Sequence, residues 1–171
     1  NRDYYYFYMD GELYYFFVYD SNISDKNITT FAPSTTYSVY VKGTQVTSAN
    51  KDNVLGNDGT PTVTYEPNTN VLTLNGVAIT NTSTSTSGIQ ASANLTIALI
   101  GENNTISGTG HAIEMTSGTL TITGPGSLNA SSSSGQTTIY TQGSGDVIIN
   151  GGAQITVKNT NSDVGDAIHL S

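Results

Sequence analysis

Gln90, Glu114, Tyr140 and His169 each directly follow an isoleucine, and they recur at intervals of 24, 26 and 29 residues. An amide, a carboxylate, a phenol and an imidazole in one row would offer hydrogen bonds to the hydroxyls of a sugar chain, with Tyr140 as a stacking surface. The same row reads equally as a solvated face without a ligand. A second set is the acids Glu102, Asp146, Asp163 and Asp166, in turn-like surroundings beside Gly, Asn or Ser. Calcium takes about six to eight oxygens, from carboxylates and backbone carbonyls among others. The spacing Asp163-x-x-Asp166 is far from an EF-hand loop, so a calcium site competes here with ordinary turn acids.

Catalytic chemistry finds less support. His111 and His169 stand far apart, with neither a cysteine nor a nucleophile-elbow motif in the chain. A polysaccharide lyase would need a Lys or Arg base near clustered acids, and past residue 70 the only such base is Lys158. Glu114 and His169 are the one acid–histidine pair on the row, two intervals apart. The chain reads as not being an enzyme.

The elements that must position these residues are short strands. The segments around Ile89, Ile113, Ile139 and Ile168 are followed by Leu72/Leu74-like pairs, namely Leu95/Ile97, Leu120/Ile122 and Val147/Ile149. A further row is Ile79, Ile106, Leu128 and Ile155. A repeat of 24 to 29 residues built only of short strands is the mark of a β-solenoid with three strands per coil. Side chains alternate along a strand, so if the isoleucines point inward the residue after each points out. Neighbouring coils lie about 4.8 Å apart, which would make the row a polar stripe. Thr73, Thr96, Thr121 and Ile148 form a second expected outward column, with too few threonines to order ice. Glycines follow strand two at Gly76, Gly101, Gly124 and Gly151, where a sharp corner favours positive φ.

The composition narrows the partners. Thirteen acids against five bases give a net charge of −8, and no basic patch for nucleic acid can be assembled. No apolar run is long enough for a membrane-spanning helix. An acidic chain suits cations such as calcium better.

Ten of the fifteen aromatic residues lie in the first twenty positions. Tyr4-Tyr5-Tyr6-Phe7-Tyr8-Met9, Asp10-Gly11 and Glu12-Leu13-Tyr14-Tyr15-Phe16-Phe17-Val18-Tyr19 read as a β-hairpin with an Asp-Gly turn. Polar alternation is missing, so both faces need cover, either within the chain or from another chain. The expected organisation is an aromatic hairpin over 1–20, a linker and short capping strands over 21–70, and a solenoid over 71–171.

Tyr40-Val41-Lys42-Gly43-Thr44-Gln45-Val46-Thr47, Val63-Thr64-Tyr65-Glu66-Pro67-Asn68-Thr69-Asn70-Val71-Leu72-Thr73-Leu74-Asn75, Leu95-Thr96-Ile97 and Leu120-Thr121-Ile122-Thr123-Gly124-Pro125-Gly126 carry a resemblance. Residues 37–171 resemble secreted surface proteins of clostridia-like bacteria with right-handed parallel β-helix repeats. The resemblance implies an extracellular or cell-surface bacterial setting, and polysaccharide binding assisted by calcium. The aromatic hairpin lies outside it. The hairpin, together with an unfinished last coil bearing Ile168 and Leu170, predicts head-to-tail assembly with copies of the same chain. Tyr4, Tyr6, Phe7, Tyr8, Tyr14, Phe16, Phe17 and Tyr19 would supply its contacts. The alternative is a polysaccharide-binding unit of a larger adhesin.

Overall fold

A computed structural model describes residues 34–56, 62–143, 145–161 and 165–170, together with the backbone of residues 3–9 and 12–18. The described residues form strands and turns, and no helix among them is long and apolar enough to cross a membrane. The chain divides into two units, Asn1–Ser34 and Thr35–Ser171.

The first unit is a hairpin. Strands β1 (Asp3–Met9) and β2 (Glu12–Val18) pair antiparallel, from Asp3 opposite Val18 to Met9 opposite Glu12. Seven of the eight expected assembly aromatics lie on these strands. Tyr19 and the Asp10-Gly11 turn lie outside the described residues.

The second unit is a β-solenoid. It opens with β3 (Thr36–Val41), β4 (Thr44–Thr47) and β5 (Val63–Glu66). The coils follow as β6 (Val71–Leu74), β7 (Ala78–Asn81), β8 (Ile89–Ala91), β9 (Leu95–Leu99), β10 (Asn104–Gly108), β11 (Ile113–Met115), β12 (Leu120–Thr123), β13 (Ser127–Ser132), β14 (Ile139–Thr141), β15 (Val147–Ile149), β16 (Gln154–Asn159) and β17 (Ile168–Leu170). Every third strand stacks in parallel. The three columns are β8-β11-β14-β17, β6-β9-β12-β15 and β7-β10-β13-β16. Ile89, Ile113, Ile139 and Ile168 are in register, as their spacing predicts.

The first coil is capped. The β3–β4 hairpin turns at Lys42 and Gly43, with φ of 52° and 77°, the pair of positive angles a two-residue hairpin uses. It lays β3 antiparallel on β8, while β5 lies antiparallel on β6. Val39, Val41, Val46, Val63 and Tyr65 are thereby buried against the first coils.

Two columns differ from the expected register. Leu72 and Leu74 pair with Ile97 and Leu99, not with Leu95 and Ile97. Thr73 therefore sits beside Ala98, outside the threonine column, whereas Thr96, Thr121 and Ile148 do align. In the third column Ile106 pairs with Ala130, and Leu128 faces Asn104. Each shift is two residues, so every side chain keeps its face. The cause is local. Strand β9 has five residues, and β6 pairs with its last four while β12 pairs with its first four. Asn104 then takes an inward site, fully buried, where its amide binds Val77 N, Gly101 O and Ser127 O at 2.7–3.1 Å. At the corner after strand two, Gly76, Gly124 and Gly151 have positive φ; in the Gly101 corner Asn103 adopts it instead.

The last coil differs from the others. Its inward positions are Val147, Ile149, Ile155, Val157, Ile168 and Leu170, in register with inward residues of the coil before it. Ile139 above Ile168 is fully buried, yet Ile149, Ile168 and Leu170 are 47%, 40% and 56% exposed. Six aliphatic side chains thus pave the end face, three exposed and three partly buried among the described residues.

Candidate functional site

The expected polar row exists. Gln90, Glu114, Tyr140 and His169 are consecutive partners across β8, β11, β14 and β17, each flanked by inward residues of its strand. Strand β3 extends the row, because Tyr40 pairs with Gln90. Gln90 Nε2 donates to Glu114 Oε2 at 3.1 Å, and Ser87 Oγ donates to the same oxygen at 2.5 Å. The carboxylate of Glu114 is therefore engaged by two neighbours of the preceding coil.

Tyr140 stands between two other rings. The ring of His111 lies parallel to it at 5.0 Å and 16°, and the ring of His169 at 5.8 Å and 20°. These histidines come from the coils before and after, so each takes one face of the phenol. Tyr140 therefore has a ring neighbour in each adjoining coil. Tyr140 is the middle rung of an aromatic ladder running along the stack.

The imidazoles are fixed by their own partners. His111 Nδ1 approaches the Thr137 carbonyl at 2.5 Å, and a carbonyl only accepts, so Nδ1 carries the proton. His169 Nδ1 meets Asp166 Oδ2 at 3.2 Å. Sequence reasoning missed His111 and Ser87 as members of this group. Both stand two residues before the leading isoleucine, as do Thr137 and Asp166. That column shares no residue type, so only its constant offset could have revealed it.

The expected calcium acids are not gathered. Glu102 lies on the corner between β9 and β10, Asp146 on that between β14 and β15, and Asp166 on that between β16 and β17. These are three different corners of the coil. Asp163 lies outside the described residues. Among the described residues no group of three or more His, Cys, Asp or Glu side chains is placed to hold a metal ion. His111 and His169, on opposite faces of Tyr140, cannot share one either, since zinc or copper needs ring nitrogens at about 2 Å.

The remaining feature is the end face of the last coil. It presents Ile168 and Leu170, the two solenoid residues expected to take part in assembly, beside Ile149, Ile155 and Val157. On this side the outer edges of β15, β16 and β17 have no strand partner among the described residues.

Comparison of the chain with protein-family models, with curated proteins and with solved structures found no match.

Proposed function

We propose that this chain is a non-catalytic, extracellular structural protein of a bacterial surface that assembles head to tail. The observation that carries this reading is the end face of six inward-facing aliphatic residues, with exposures up to 56% at Leu170. An apolar face of this kind beside open strand edges is a surface for adding strands from another chain. The opposite end of the solenoid is closed by β3, β4 and β5, so a contact that seats this end face on a different surface of the next copy is heterologous. Such a contact propagates into a filament unless its rotation closes a ring.

The aromatic hairpin is the partner that fits. It brings two seven-residue strands without polar alternation, and it belongs to every copy. The non-catalytic part of the reading rests on the polar row. Its carboxylate, its imidazole and the imidazole of His111 beside it are tied to structural neighbours rather than turned on a common point. The test is assembly of the full chain with Phe7→Asp and Phe16→Asp. Loss of regular polymers with the β signal in circular dichroism retained is the expected result. Unchanged polymers in that variant, or a monodisperse monomer for the parent chain at all concentrations, would overturn the reading.

The polysaccharide alternative, a calcium-assisted adhesin unit using Gln90, Glu114, Tyr140 and His169, draws support from the alignment of that row alone. The ring neighbours of Tyr140 and the dispersed acids weigh against it.

A further inference from the structure

At the corner between the first and second strands of each coil, two adjoining hollows of about 320 and 460 Å³ share Asn94 and Thr119. The first reaches back to Asn70 in the preceding coil, and the second forward to Gln142 in the following one. Together they make one groove that runs along the stack across successive coils. Its far end, at Gln142, Gly143 and Gly145, lies on the corner that leads into β15 of the last coil.

The lining has a consistent chemistry. Thr96 and Thr121 are in-register outward residues of β9 and β12, so their hydroxyls repeat at the coil spacing of about 4.8 Å. Asn94 uses Oδ1 to accept Thr119 N at 2.9 Å, which leaves its Nδ2 donor free. Asn70 uses Oδ1 to accept the Tyr65 hydroxyl at 2.9 Å and likewise keeps its Nδ2. The groove is lined by hydroxyls, amides, glycines and Leu95, and neither a charged nor an aromatic side chain lines it. A charged ligand would lose water there without meeting a counter-charge. An apolar ligand would leave these donors and acceptors unpaired. Groups that both donate and accept, repeated along a line, match a chain of hydroxyls.

We infer that this groove binds an extended, uncharged polyhydroxylated polymer, a neutral polysaccharide strand lying along the solenoid axis. Recognition is by hydrogen bonds from Asn70, Asn94, Thr96, Thr121 and Gln142, without stacking and without calcium. The site is distinct from the Gln90–His169 row.

Biolayer interferometry with the full chain immobilised tests this, whatever its state of assembly. The probes are soluble dextran, amylose, hydroxyethylcellulose and galactomannan, with polygalacturonate with and without calcium as the acidic comparison. At least one neutral polymer should bind. Thr96→Val combined with Thr121→Val should weaken it about tenfold, as loss of two hydrogen bonds implies. Gln142→Ala, at an exposed position that does not threaten folding, should weaken it by a smaller factor. Thr105→Val, on another sheet, should leave it unchanged. Binding to no neutral polymer, binding confined to polygalacturonate, or binding indifferent to both groove variants overturns the inference. None of these results bears on whether the chain forms filaments.

Discussion

At the scale of single residues, the polar side chains inside this solenoid are there for backbone geometry. Asn104 is fully buried and answers three backbone groups from three coils. Asn104→Ala would leave Val77 N without this acceptor and take one donor each from Gly101 O and Ser127 O, so it should cost about 1–3 kcal/mol. Asn104→Leu should not recover this, although it matches Leu128 in the column; chemical denaturation of both variants checks the point. Tyr65 provides a pH handle on the cap. Burial, and to a smaller degree its neighbour Tyr37, pushes its phenol above the ordinary value. The folded state then holds the proton more tightly than the unfolded chain. Its contribution is complete below the ordinary tyrosine value of about 10 and is lost as pH rises through the raised value. The denaturation midpoint should fall above about pH 10, and Tyr65→Phe should flatten that fall. An equal slope in both proteins would remove Tyr65 as its cause.

At the scale of elements, position in the stack decides what a substitution costs. Ile113 and Ile168 occupy one column, the first fully buried and the second 40% exposed. Ile113→Ala should cost about 2–5 kcal/mol, the usual range for a buried truncation. Ile168→Ala should cost well under half of that in dilute monomer, and should approach it once the end face is covered. The isoleucine column was legible in the sequence because its spacing specifies it directly. The two-residue shifts at Leu72 and Leu128 were not, since alternation has a period of two and any even slip preserves it. The polar row was legible as a row, because each member follows an inward isoleucine. Its chemistry was not. His111 reaches Tyr140 from a corner position outside the strand pattern, and only the fold shows that it stacks on the phenol.

At the scale of the whole molecule, one end of the described solenoid is closed by antiparallel strands, and at the other Ile149, Ile168 and Leu170 are partly exposed among the described residues. That asymmetry, together with an aromatic hairpin carried by the same chain, is the basis on which head-to-tail assembly is proposed. Sedimentation velocity of the full 171-residue chain over a wide concentration range tests it most directly. The account predicts a distribution that moves to ever larger species as concentration rises, and that collapses to monomer with Phe7→Asp and Phe16→Asp. A single monomeric boundary at every concentration would contradict it.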